Sequence, residues 1–288
     1  MEKNIFKFGS SSLALIIPKR WTTKHGLKPG SSITVSEDSA GNLILSTRHS
    51  AEIKVTKVVD SSTNPYFIWR WIGLYYRFGV RRIDVVSKDN FTPEQVAALK
   101  EQIELYSPGF EIMGQTANII TIEDLTEQNE IDLNKMMGRM HSLIDESFRE
   151  LISGEYEKIE DTEALLNRFY QLCLRYINVV QPTNMLKYFR VTESMEEIGD
   201  LLLKLSKTGC GKNKAVNLFL VRAREMFGLS DKAFEGDEGA IKQIYKFVNE
   251  LSGRRKESKD RECWDLISEI GKYTNYIAEF GLTVEGKE

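Results

Sequence analysis

Residues Lys7–Gly30 read KFGSSSLALIIPKRWTTKHGLKPG, and the rest of the chain is organised around them. A polar start and the alternation of Leu13, Leu15 and Ile17 predict a strand. Pro18-Lys19-Arg20 then opens a short helix that ends at Gly26, and Pro29-Gly30 makes a second turn. A further strand is expected over 32–35. Gly41-Asn42 separates it from Leu43-Ile44-Leu45, so residues 32–46 read as a hairpin. Fifty residues of this kind give a thin core. Hairpins interleaved about a two-fold axis would close the sheet edges and bury both apolar faces.

Charge is unevenly spread along the 288 residues. The first fifty hold seven Lys and Arg against three Asp and Glu, a surplus of +4, and the remainder carries −7 of the chain's net −3. A basic head on an acidic body marks the head as the part suited to a polyanion. The three cysteines, Cys173, Cys210 and Cys263, show no Cys-x-x-Cys spacing, and there are only three histidines. This argues against zinc fingers and against a disulfide framework. No apolar run is long enough for a signal segment or a membrane span, so a cytoplasmic protein without membrane insertion is expected.

After residue 50 the pattern changes. Alternation at Ile53, Val55 and Val58, a helical stretch over 64–78 and a strand at 82–86 lead to Thr92-Pro93-Glu94, a helix start with Thr as cap and Pro in the first turn. That helix runs to Ser107, Pro108-Gly109 stops it, and strands over 110–113 and 118–122 follow. The order β-α-β-α-β-β, over 51–124, reads as a small α/β sandwich of ferredoxin-like order with its helices on one face. Helix 64–78 carries seven aromatic residues with Arg70 and Arg77, a composition suited to base stacking but better explained by packing on two sides.

From residue 125 the chain reads as all-α. Leu133, Met136, Met137, Met140, Leu143, Ile144, Phe148 and Leu151 form one core-facing stripe closed by Gly154, with His141 beside it as a helix-surface residue. Helices over 156–180 and 184–206 follow, then a break at Thr208-Gly209-Cys210-Gly211, then helices near 213–227, 235–252 and 260–280. Glu197-Ile198-Gly199-Asp200 aligns with Glu269-Ile270-Gly271-Lys272, an internal repeat. Residues 125–209 and 210–288 thus read as a pair of packed three-helix bundles.

Glu196-Glu197-Ile198-Gly199-Asp200 resembles the E-R-I-G-D helix signature of the PhoU phosphate-uptake regulators, and Glu163 to Tyr170 resembles their E-x-x-x-D-R-x-Y. Gly9-Ser10-Ser11, Ile17-Pro18-Lys19-Arg20-Trp21 and Gly26-Leu27-Lys28-Pro29-Gly30 resemble the SpoVT-AbrB DNA-binding fold. The combination is similar to archaeal regulators with an AbrB head and a PhoU body. It implies a multidomain α+β protein: a swapped-hairpin β-barrel over 1–50 that dimerises, the α/β sandwich, and a PhoU-like helical body.

The AbrB resemblance implies that Lys7, Ser10, Ser11, Lys19, Arg20, Lys24 and Lys28 face double-stranded DNA. The lysines suit phosphate contacts, and Arg20 suits bidentate contact with guanine. In the body, Glu196 and Asp200 share one helix face, and Glu163 and Asn167 share a face of the neighbouring helix. Facing carboxylates call for a cation, and the PhoU resemblance implies a divalent metal on Glu163, Asn167, Glu196 and Asp200, although Asn167 stands where the family usually has Asp. The alternative is a solvated charged stripe. In the second repeat the matching positions are Glu238, Lys242, Ser268 and Lys272, which predicts lysine-carboxylate pairs and no metal.

No nucleophile elbow, phosphate-binding loop or zinc-protease motif is found, so the chain reads as a binder and not an enzyme. Two functions remain open. One is a homodimeric or higher-order transcriptional regulator of phosphate uptake, with the body relaying phosphate status to the head. The other is a signalling adaptor that docks a phosphate transporter ATPase or sensor kinase, with the head only dimerising.

Overall fold

A computed structural model describes residues 3–37, 41, 43–46, 53–126, 132–182, 184–210, 213–254 and 261–280. The chain divides into two units, Met1–Ala51 and Glu52–Glu288. The architecture is mixed α+β, strand-rich at the N-terminal end and then mostly helical.

In the first unit, β1 (Ile5–Phe8) and β2 (Ser12–Leu15) form an antiparallel hairpin in which Lys7 stands opposite Leu13. Gly9 makes the turn possible because its φ of 71° lies in the left-handed region. Helix α1 (Lys19–Lys24) follows, and β3 (Thr34–Glu37) pairs antiparallel with β4 (Leu43–Ser46). In the β3–β4 connection, 38–40 and Asn42 lie outside the described residues. The two hairpins are separate two-stranded sheets, so the barrel expected from the resemblance is not closed within one chain. No described side chain of this unit is buried; Phe8 is 69% and Leu13 67% exposed. Isolated hairpins of this size are marginal in water, and nothing local covers their apolar face.

The second unit begins with a four-stranded sheet of order β5-β6-β8-β7, formed by β5 (Lys54–Val59), β6 (Arg82–Ser87), β7 (Phe110–Gln115) and β8 (Ile119–Asp124). Helix α2 (Pro65–Arg77) joins the parallel pair β5 and β6, and α3 (Pro93–Tyr106) leads to the antiparallel hairpin β7–β8. α3 begins as the sequence reads, with Thr92 and Gln95 forming a capping box, and α2 begins one residue later than read, with Asn64 as its cap. Burial alternates along β6 and β8. Ile83, Val85, Ile120 and Ile122 share one core with Ile68, Ile72 and Tyr76 of α2 and Leu99 and Ile103 of α3, so both helices cover one face.

The ferredoxin-like order is not what forms. That arrangement places two strands between the helices, whereas here α2 crosses between sheet neighbours and the last two strands add a hairpin.

Among the described residues, seven helices complete the unit: α4 (Leu133–Ser153), α5 (Tyr156–Val180), α6 (Met185–Thr208), α7 (Lys214–Gly228), α8 (Ser230–Phe234), α9 (Glu238–Arg254) and α10 (Arg261–Glu279). Gly154, at φ 83°, ends α4. The short α8 is not signalled in the sequence. One core runs through both repeats, from Met140 and Phe148 through Leu166, Ile198 and Leu202 to Phe247, Trp264 and Ile270.

The two aligned glycines do the same packing work. A Cβ on Gly199 would stand 2.2 Å from Leu166 of α5, and one on Gly271 would stand 2.8 Å from Leu251 of α9. Each therefore lets its helix close on its neighbour. His141 is not a surface residue as expected: its ring stacks on Phe227 at 4.3 Å, and Nε2 lies 3.5 Å from Asp231.

Two long-range ties corrected the sequence reading or escaped it. Cys210, just after α6, is bonded to Cys263 on α10, contrary to the expectation of no disulfide. The packing of α10 against the end of α6 brings their Cα atoms to 5.8 Å, within disulfide range, although 53 residues separate them. Gly211, in the same break, lies outside the described residues.

Buried Arg175 of α5 fastens the helices to the α/β layer. It pairs with Asp124 Oδ2 at 2.5 Å, donates to the carbonyls of Tyr76 and Val80, and stacks over the rings of Tyr76 and Phe110. No helix of the described residues is long and apolar enough to cross a membrane.

Candidate functional site

In the head, the hairpin and α1 set out the basic residues. Lys7 lies in β1, Ser10 and Ser11 in the turn that follows, Lys19, Arg20 and Lys24 on α1, and Lys28 in the loop closed by Gly30 at φ 87°. All seven are exposed, and none forms an ion pair with another described residue. Lys19 and Lys28 are fixed through their backbones: Thr22 Oγ1 donates to the Lys19 carbonyl at 3.0 Å, and the Lys28 amide donates to Ser31 Oγ at 2.9 Å. The ammonium and guanidinium ends thus remain available to an outside anion. The tilted rings of Trp21 on α1 and His25 at its C-terminal end lie 4.8 Å apart, a contact across the last turn of a six-residue helix that has no side-chain cap.

In the helical part, α5 and α6 bring Glu163, Asn167, Glu196 and Asp200 to one half-buried seam. Burial, the charge of Asp200 and a hydrogen bond with Asp200 push Glu163 up to about 7, and the Asn167 amide opposes the rise by donating to Glu163 Oε1. Burial, followed by the charges of Asp200, Glu197 and Glu163, pushes Glu196 up to about 8, against the pull of Arg77. At neutral pH the seam therefore holds protons that ordinary carboxylates would have released.

A divalent metal does not fit this arrangement. Asn167 turns a donor, not an oxygen, towards Glu163, and among the described residues no three His, Cys, Asp or Glu side chains stand close enough to hold a metal ion. The expected set of four shares a face without forming a ligand cage.

The corresponding region of the second repeat is arranged differently. Lys242 pairs with Glu238 at 2.8 Å, and Lys272 with Glu269 at 2.6 Å, each within its own helix. Helix α2 packs through Ile68, Ile72 and Tyr76, whereas its aromatics Tyr66 and Phe67, and Phe78 at its end, are exposed, and Lys57 sits over the half-buried Trp71 ring at 3.6 Å.

Beside the α5–α6 seam, Arg77 of α2 donates through Nε to Gln171 Oε1 at 2.7 Å, and Asn178 donates to the Arg77 carbonyl at 3.1 Å. This polar junction between α2 and α5 carries no local sequence signal, because Arg77 and Gln171 meet across 94 residues.

Residues 7–53 match the family described as antidote-toxin recognition MazE, bacterial antitoxin. A MazE/AbrB-like domain is thus present at the N-terminal end, in close agreement with the first structural unit. No curated protein and no solved structure matches the chain.

Proposed function

We propose that the chain is a cytoplasmic homodimeric regulator that binds double-stranded DNA through its MazE/AbrB-like head, with the helical part relaying a signal in phosphate homeostasis. The observation that carries the reading is the state of the head. Its first hairpin leaves Ile5, Leu13 and Leu15 exposed on one side and Phe6 and Phe8 on the other, apolar area that a second copy would cover. Its basic residues have no charged partner among the described residues, as suits phosphate contact. In a dimer Lys7, Lys19, Arg20, Lys24 and Lys28 are doubled, and the affinity they give falls steeply with salt.

The phosphate part of the reading rests on the PhoU resemblance of Glu163–Tyr170 and Glu196–Asp200, supported by the matched packing of Gly199 and Gly271. A signal that favours one arrangement of the body over another would change DNA affinity by its differential binding to the two. The test is a gel-shift series of the full-length protein on promoter DNA of phosphate transporters at several salt concentrations. Binding at low salt is expected, and alanine at Lys19, Arg20 or Lys24 lowers the salt slope by about 1 for each phosphate no longer neutralised. No binding at low salt would sink the proposal.

The −7 charge outside the head favours a second reading, a signalling adaptor that docks a basic face of a transporter ATPase or kinase. Regulation that survives alanine at Lys19, Arg20 and Lys24 together would select it.

A further inference from the structure

Helices α2 and α3 cover one face of the four-stranded sheet, and the alternate residues of each strand point to the other face, where Val58 is 54% and Ile119 40% exposed. The strand registers set this open face in rows. The first row reads Lys54, Arg82, Glu123, Glu111 across β5-β6-β8-β7. It is basic on the β5–β6 half and acidic on the β8–β7 half. In the middle row Thr121 Oγ1 donates to Asp84 Oδ1 at 2.8 Å. The third row, Val58, Val86 and Ile119, is apolar, where a face given over to water would carry polar residues.

These rows are complementary to themselves about one axis. A two-fold along the strands, between β6 and β8, lays β5 of one copy over β7 of the other and β6 over β8, so each row meets its own counterpart. The apolar row packs on itself, Lys54 meets the partner's Glu111, and the Arg82–Glu123 pair, closed within the chain at 2.8 Å, meets the same pair reversed. A two-fold across the strands would set the charged row on the apolar one, which desolvates charge without pairing it. Aligned sheets pack about 10 Å apart and turned by about 30°, which displaces the outer strands by about 4 Å, within the reach of a lysine and a glutamate. Within one chain Lys54 and Glu111 stand three strand spacings apart, about 14 Å, and do not reach each other.

We propose that this open sheet face is a second homodimer interface, packed against the same face of another copy of the chain. Four strands of six residues offer about 400 Å² per copy, about half of what each partner buries in a specific interface. The face is therefore too small to hold a dimer alone. The first unit ends at Ala51 and β5 begins at Lys54, so a dimeric head would tether two such sheets at high effective concentration. The inference rests on the homodimer proposed above and not on its DNA.

An exchange of charge in the full-length protein tests it. Lys54→Glu sets like charges opposite each other in its own dimer, and Glu111→Lys does the same, whereas a mixed dimer with one chain of each restores both pairs. With one variant isotope-labelled, native mass spectrometry of the mixture at low salt counts the dimers. The ratio of mixed to unmixed dimers is expected about fivefold above the statistical one, falling towards it as salt rises. Effects within a chain cancel, because every chain keeps its own substitution in both kinds of dimer. Val58→Lys, in the apolar row, is expected to raise the dimer dissociation constant about threefold or more in sedimentation. All three positions are exposed, and circular dichroism checks that the variants fold.

A statistical mixture, or an unchanged constant for the Val58 variant, in a protein that is still dimeric would overturn the proposal and leave the head's dimer standing, the face then belonging to water or to another protein. A monomeric unsubstituted chain would overturn both.

Discussion

Gly199 on α6 and Gly271 on α10 hold aligned positions and let each helix close on its neighbour, yet the polar residues around them follow opposite rules. Beside Gly199, Glu163, Glu196 and Asp200 share a half-buried seam in which Glu163 and Glu196 are pushed up to about 7 and 8, chiefly by burial and mutual repulsion. Beside Gly271, Lys272 pairs with Glu269, and one helix away Lys242 pairs with Glu238, both near water. The packing geometry of a helical repeat is fixed by small and large apolar residues in register. Its charge is free to differ, because the polar atoms lie outside the shared core. Helix packing alone would gain nothing from the first arrangement, whose Glu163 and Asp200 lie within electrostatic reach of Tyr106 on α3.

The largest expected effect sets the scale for this contrast. Arg175→Ala removes the partner of buried Asp124 and the donor to the Val80 carbonyl, so urea unfolding should show a loss of about 3–5 kcal/mol. A loss below about 1 kcal/mol would mean that burial with pairing is no stronger here than the exposed pairs of the second repeat. Next comes the disulfide that ties the break after α6 to α10. Cys210→Ser, or reduction, should destabilise the protein by about 2–4 kcal/mol, given the 53-residue separation. Unfolding in one step afterwards would show that the shared core alone couples the two seams, and two steps would show that the bond does.

The seams themselves can then be compared by pH. Glu163 and Glu196 titrate higher in the folded chain than an ordinary carboxylate, so the folded state binds the extra protons. Their contribution is fully present below about pH 4.5 and is lost as pH rises through 7 and 8; the net decline between pH 5 and 8 should be about 1–2 kcal/mol after screening. Glu196→Gln should flatten that decline and stabilise the protein by about 1 kcal/mol at pH 8, read from paired urea titrations. An unchanged slope would remove the distinction between the seams. The smallest effect belongs to Lys272→Ala, expected to cost no more than about 0.5 kcal/mol without altering the slope between pH 5 and 8.

The starts and stops of elements were legible in the sequence because their causes are local. Gly154 closes α4 where φ is positive, and Thr92 is a cap within three residues of the amide it accepts from, whereas β1 and the Asn64 cap were not read. The pairing of Glu197-Ile198-Gly199 with Glu269-Ile270-Gly271 was legible as well, since both glycines answer a bulky leucine. Among candidate site residues, Lys19, Arg20 and Lys24 lie on α1, and Glu163 of α5 meets Asp200 of α6, a contact that spacing along one helix does not fix.

What the sequence could not show are contacts closed over long stretches of chain. The sheet order β5-β6-β8-β7, with β5 parallel to β6, is not the ferredoxin-like one expected. Asp124 found Arg175 fifty-one residues away, Cys210 found Cys263, and Asn167 turned a donor where a ligand was expected. The bond between Arg77 and Gln171 exists only because α2 and α5 meet. Local backbone preferences and periodic burial act within a few residues and are written in order along the chain. Sheet order, buried pairs, cavities and shifted carboxylates depend on which distant surfaces finally touch, and only the packed tertiary structure decides that.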